Sequence, residues 1–247
     1  MTSSALPGPD APTTPGMDAA ATVRVEQAGL DALARALEDP AGLGGAFEQA
    51  VAMLLGISGR VVITGIGKSG HVARKIQSTL ASTGTPSLYV HPAEASHGDL
   101  GMILPGDAIL AFSNSGETTE LGDIAAHALR TGQPLLAVTS KASSTLASTA
   151  TLALTLPAMP EACPMGLAPT ASTRMQLACG DALAVALLRQ RGFTATEFGI
   201  FHPGGRLGAR LRTVGELMHT GVAMPLTQPD APMRDVIMEM THKALGC

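Results

Sequence analysis

Short runs of apolar, often β-branched residues recur along this chain, and stretches of helical pattern separate them. Val61-Val62-Ile63-Thr64 runs into a glycine turn and then a helical segment over about 69–82. Further strand-like runs fall at 87–90, 108–112, 134–138 and 152–156. Strands of this kind, alternating with helices, imply parallel pairing with both sheet faces covered. The expected fold is α/β: a doubly wound, mostly parallel five-stranded sheet flanked by helices. Ahead of it, 17–57 has a helical pattern broken at Asp39-Pro40, and a long apolar helix spans about 170–191, ending before Gly192. Ligands of such sheets lie at the carboxyl ends of the strands. The turns at 65–70 and 113–119 and the loops at 91–97 and 157–169 should therefore converge.

Composition narrows the options. Hydrophobic residues make up 45% of the 247 and charged residues 15%, so a large core is possible. Aromatics are only 2%, which leaves Ala, Leu, Val and Met to fill it. The net charge is −4 with no Lys/Arg block, which argues against nucleic acid, since backbone affinity needs clustered cations. No stretch approaches the ~18 apolar residues of a membrane span. Cys163, Cys179 and Cys247 lack metal-type spacing and fit a reduced, cytoplasmic compartment. Cys163 reads as loop packing and Cys179 as core. Residues 1–17 have the Pro/Ser/Thr-rich composition of a disordered tail, without the pattern of a signal peptide. Residues 18–210 read as the main domain. From 211 to 247 the character changes, as if a further module begins.

The turn at 65–70, Gly-Ile-Gly-Lys-Ser-Gly, admits three readings. A nucleotide P-loop needs a glycine where Val62 stands. A dinucleotide fingerprint needs an acid at the end of the next strand, where Val90-His91 stands. A phosphomonoester site remains, with Lys68 and Ser69 at a helix start. The second turn, Ser113-Asn114-Ser115-Gly116-Glu117-Thr118-Thr119, gathers four hydroxyls at another helix start. Helix N-termini hold anions, and hydroxyls add donors without charge. A single N-cap would need only one of them. Ser113, Asn114, Ser115, Thr118 and Thr119 are thus candidate phosphate ligands.

These residues resemble the sugar isomerase (SIS) domain family. The segments GIGKSGHVARK, ASTGTPSLYVHPAEASHGDLGM, SNSGETTE, EACPMGLAPT, GDALAVALL and FHPGGRLG narrow the resemblance to the D-arabinose 5-phosphate isomerases within it. The resemblance covers about 20–247 and implies a flavodoxin-like sheet. It also implies interconversion of D-ribulose 5-phosphate and D-arabinose 5-phosphate, which feeds the lipopolysaccharide sugar Kdo. A homotetramer and a C-terminal CBS pair are implied too, and LMHTGVAMPLTQPDAPMRDVIMEMTHKALG looks like the start of the first CBS repeat. Other SIS isomerases and phosphosugar-sensing regulators are the rival readings.

Moving a carbonyl from C2 to C1 requires a base that shuttles a proton through an enediol. Acids near the expected strand ends are Glu94, Asp99, Glu117, Glu120 and Glu161, and spacing does not rank them. The resemblance selects Lys68, Glu120, Glu161 and His202 as the catalytic positions. Glu161 is then the enediol base, and His202 assists proton transfer at oxygen or ring opening, in its own subunit's site or a neighbour's. Lys68 stabilises anionic charge, and Glu120 orients Lys68 or the sugar hydroxyls. The resemblance also implies Gly84, Thr85 and His97 as substrate contacts and His91 as a zinc contact. No cofactor is expected to be required, and any zinc at His91 should be non-essential or inhibitory.

Overall fold

The computed structural model describes residues 14–202 and 213–245. The chain falls into two compact units, divided between Thr194 and Ala195. In the first unit, α1 (Pro15–Leu37) and α2 (Leu43–Gly56) precede β1 (Val61–Gly65), α3 (Gly67–Ser82) and β2 (Ser87–Tyr89). Then come α4 (Pro92–Ala95), β3 (Ala108–Phe112), α5 (Gly122–Thr131), β4 (Leu135–Thr139), α6 (Thr145–Thr149), β5 (Leu152–Thr155) and α7 (Ala171–Arg191). The strand order is β2-β1-β3-β4-β5, and every pair is parallel. All five expected strands form, within a residue or two of their expected ends.

Side-chain alternation explains the two covered faces. Val61, Ile63, Leu110, Phe112, Leu136 and Val138 pack with Ala73 and Ile76 of α3, Leu54 of α2 and Met175 and Leu183 of α7. Val62, Ile109, Ala111, Leu135 and Ala137 pack on the opposite face with Ala95, Ile124, Ala128 and Leu146. The sheet is wound in both directions from β1 and β3. That places the topological switch between these two strands, where Gly65 pairs in register with Phe112.

Two helix boundaries differ from expectation. α1 starts at Pro15, inside the segment read as tail, because the Thr14 hydroxyl caps it by accepting from Met17 N at 3.3 Å. The rest of that tail, 1–13, lies outside the described residues. α3 starts at Gly67 rather than at about Ser69, so Lys68 lies in its first turn.

The α3–α7 seam matters for the site. A Cβ on Gly180 would collide with Ile76, so the two helices approach closely there. Beside that contact, Lys75 Nζ donates to Asp181 Oδ2 at 2.6 Å. Both helices begin at the carboxyl edge of the sheet and run the same way. Fixed together at 75–76 and 180–181, they place the start of α7 level with the start of α3.

The second unit contains α8 (Ala195–Phe201), α9 (Val214–Leu217) and α10 (Met233–Lys243), with no strand among its described residues. Residues 203–210, the end of the expected 18–210 domain, lie outside the described residues. The described part of 211–247 is helical and irregular.

Candidate active site

At the end of β1 the chain makes one abrupt turn. Gly67 has φ +57°, in the left-handed region where glycine is favoured. A Cβ on Gly70 would lie 2.7 Å from the Gly65 carbonyl oxygen, so only glycine lets α3 fold back over the strand end. No side chain caps α3, and its first turn holds no acid. Its free N–H groups and the exposed Lys68 therefore present positive charge at the switch point. Ser69, half-buried, lies in the same turn.

A clamp that the sequence did not suggest fixes this turn. The Tyr89 hydroxyl donates to the Gly65 carbonyl at 2.6 Å, and the Arg74 guanidinium lies 3.9 Å above the Tyr89 ring. Burial raises the Tyr89 hydroxyl's pKa, only partly opposed by Arg74, so it remains a donor. The one signal was that Tyr89 is the only tyrosine in an aromatic-poor chain. Tyr89→Phe should cost about 1 kcal/mol of stability in denaturant unfolding, the usual worth of one such bond.

The second turn is organised differently from the expected cluster of helix-start hydroxyls. Its helix begins only at a 3-10 turn, Thr119–Leu121, which leads into α5. The buried Ser113 hydroxyl accepts from Gly116 N at 3.0 Å and pairs with the Thr118 hydroxyl at 2.7 Å. Ser115 Oγ accepts from Glu117 N at 3.2 Å. The Asn114 carbonyl accepts from Ser140 N at 3.0 Å and Ser140 Oγ at 2.8 Å. These bonds shape the turn before any ligand arrives. Thr119 and Glu120 are exposed at its far end.

Of the five candidate acids, Glu117 is committed elsewhere. It accepts from Thr145 N at 3.0 Å and Thr145 Oγ at 2.6 Å, and these bonds hold its carboxyl below the usual range. Glu94 lies exposed in α4, and Asp99 begins a 3-10 turn. Glu161 is set at the start of α7. Its Oε2 accepts from Thr170 N at 2.6 Å, Thr170 Oγ at 2.9 Å and Ser172 N at 3.4 Å. It therefore does the capping that Thr170 at the N-cap position does not. Burial pushes the Glu161 carboxyl up, but the nearby Ser172 hydroxyl and the Thr170 and Ser172 donors more than offset that. The net effect is a lowered pKa. By the α3–α7 register, this carboxylate stands level with Lys68. Lys68, Ser69, Glu161 and the 113–119 turn thus share the carboxyl edge of the sheet.

Other expected positions are distributed differently. His91 follows β2 at that edge, but its Nδ1 accepts from Ala93 N at 3.2 Å and caps α4. Among the described residues no group of three or more His, Cys, Asp or Glu side chains converges as a metal site. His97 is exposed beyond α4. Gly84 and Thr85 lie between the end of α3 and the start of β2, at the opposite edge of the sheet. A Cβ on Gly84 would strike the Phe193 ring there. Within one chain the fold does not bring them to the site. His202 belongs to the second unit, where its Nδ1 lies 2.9 Å from the Phe198 carbonyl and its ring stacks on Phe198 at 3.9 Å. A groove of about 300 Å³ opens beside the second turn, bordered by Gly116, Thr119, Ala125, Leu146 and Thr149. Nothing from β1, α3 or the Glu161 loop borders it, so it is not the switch-point crevice.

Residues 54–186 match the model of the SIS domain. The chain belongs to the SIS domain family. It is 50% identical over 189 residues to the arabinose 5-phosphate isomerase KdsD of Escherichia coli K12, covering 76% of this chain and 58% of the relative. Identity to the Pseudomonas aeruginosa protein of the same name is 48% over 226 residues, 91% of this chain and 68% of the relative. The chain thus spans less than two thirds of the length of the E. coli relative. Among solved structures, E. coli CFT073 c3406 in complex with A5P superposes with a TM-score of 0.69 at 37% identity. That match covers 77% of this chain and all of the other. No helix among the described residues of this SIS protein is long and apolar enough to cross a membrane.

The two described cysteines of this SIS domain behave oppositely. Backbone N–H groups of Ala168, Leu167 and Met165 lower the Cys163 thiol's pKa, while burial pushes Cys179 up to about 12. Brief iodoacetamide treatment should label Cys163 and spare Cys179 in peptide mass spectrometry.

Proposed function

We propose that this chain is an aldose–ketose isomerase that interconverts D-ribulose 5-phosphate and D-arabinose 5-phosphate. The observation that carries the reading is the one-sided commitment of Glu161. Oε2 takes every hydrogen bond it accepts among the described residues, which leaves Oε1 for chemistry. The substrate phosphate lies against the uncapped start of α3, Lys68 and the 113–119 turn. Glu161 Oε1 takes a proton from C1 of the ketose, the C1–C2 double bond forms, and the C2 oxygen gains a proton. Returning the carbon-bound proton to C2, as the C1 hydroxyl gives up its own, yields the aldose. Lys68 stabilises the oxyanion character that develops on the way. Glu120 orients Lys68 or a sugar hydroxyl. His202 relays protons at oxygen or opens the ring, and a homotetramer in the cytoplasm is the assembly we expect to supply it. The similarity to proteins named arabinose 5-phosphate isomerase supports the choice of substrate.

The test is an NMR assay with ribulose 5-phosphate, following the anomeric signal of arabinose 5-phosphate. Turnover is the expected result. Phosphosugar binding without turnover would overturn the reading in favour of a sensor. A carboxylate base needs no metal, so chelator-treated enzyme should retain its kcat. Loss on chelation with recovery on adding zinc would assign His91 a working role.

A further inference from the structure

The α7 stripe that faces α3 carries polar groups where an apolar seam would be expected. Gly180 marks that stripe, because a Cβ there would strike Ile76 of α3. Residues four apart on a helix share a face, so Gln176 and Ser172 continue the stripe toward the site. Gln176 is fully buried, and neither its Oε1 nor its Nε2 has a hydrogen-bond partner among the described residues. Ser172 is also buried. Its Oγ makes no hydrogen bond of ordinary geometry among the described residues, yet it lies near enough to Glu161 to help keep that carboxylate ionised. The backbone of the same residue contributes as well, Ser172 N donating to Glu161 Oε2 at 3.4 Å. A polar column therefore leads from the Glu161 carboxylate down the α3–α7 seam.

An interior amide without partners is less stable than Met or Leu of similar volume, so packing does not explain Gln176. Buried amides are commonly satisfied by internal water, which itself takes about three partners. Ser172 Oγ and the two ends of the Gln176 amide can supply them.

We propose that Gln176 is a positioning residue for Glu161, acting through Ser172 and an internal water to fix the carboxylate from beneath. This rests on the isomerase reading, in which Glu161 is the base. Gln176 does not itself touch the substrate. Its amide and the Ser172 hydroxyl orient Oε2 so that Oε1 stays aimed at the reacting carbons. Donation to the ionised carboxylate favours that form, so loss of the column should raise the proton affinity of Glu161.

The experiment compares wild type, Gln176→Met and Ser172→Ala, measuring kcat, KM, the pH dependence of kcat/KM, and Tm. Met preserves the volume of the glutamine, and Ser172→Ala removes a single oxygen, so a folding failure in one leaves the other decisive. Both variants should lose about tenfold in kcat with little change in KM, as expected for misplacement of a base. The acidic limb of kcat/KM should move to higher pH, and Tm of Gln176→Met should hold or rise. Unchanged kcat and limb in a folded variant would overturn the proposal, as would a kcat loss without movement of the limb. Absence of turnover in wild type would instead defeat the isomerase reading, and this proposal with it.

Discussion

Glu161→Gln is expected to lower kcat by about 10³-fold or more, the usual contribution of a positioned general base. Phosphosugar affinity, measured by calorimetry, should stay within about threefold, because the anion-binding groups are untouched. Glutamine is nearly isosteric, and its carbonyl oxygen can still accept from Thr170 N and Ser172 N, so α7 keeps its cap. The loss then reports the chemistry and not the fold. Retained turnover would sink the assignment. The pH profile gives a second check. The Glu161 pKa is lowered in the folded protein, so the base stays ionised as pH falls through the ordinary glutamate range. The acidic limb should therefore lie below that of an unperturbed glutamate. By linkage, the stability this carboxylate adds is present above the unfolded glutamate range and is lost as pH falls through the lowered value. Acid should loosen the start of α7 and quench catalysis over the same interval.

Most of the fold was legible because the physics that makes it is local. Val61–Ile63 and Ile109–Phe112 alternate between two buried faces, and continuous apolar runs are what parallel strands covered on both sides require. Gly70 was readable as part of a turn, although its reason is the Gly65 carbonyl beneath it. The site was legible only in part. Spacing left Glu117 and Glu161 equivalent. What separates them is set by the folded chain: Thr145 occupies both oxygens of Glu117, whereas Thr170 bonds only Oε2 of Glu161. The Tyr89–Gly65 clamp and the Gln176–Ser172 stripe depend on how α3 packs against β2 and α7, and no local pattern encodes that. Gly84 and Thr85 show the converse. Family resemblance carried them to the substrate, whereas chain order places them at the far edge, and only another subunit could bring such residues to this crevice.

Gly116→Ala is expected to raise KM for the phosphosugar at least about tenfold and to cost about 2 kcal/mol or more of stability, combining left-handed strain with overpacking. Gly116 has φ +67°, which disfavours any side chain there. An added Cβ would also collide with the Ser144 side chain and come within 2.9 Å of Thr139 Oγ1. Ser144 cannot simply move away. Its hydroxyl donates to the Lys141 carbonyl at 2.7 Å and accepts from Ala147 N at 3.3 Å, capping α6. The Gly116 carbonyl meanwhile accepts from Leu146 N at 3.0 Å, which ties the turn to the same helix. Relieving the clash must shift residues 113–119 as a unit, including the Ser113–Thr118 hydroxyl pair. Gly122→Ala is the matched control. It lies in the same region, but φ is −58° and, among the described residues, no atom beyond its chain neighbours and its own helix backbone lies within 4 Å of its would-be Cβ. Alanine there should be neutral, or stabilising by up to ~1 kcal/mol from helix propensity. Tm and KM measured on both variants separate a rigid phosphate turn from a tolerant one. Wild-type values in Gly116→Ala would show that the turn does not need this shape to bind the phosphate.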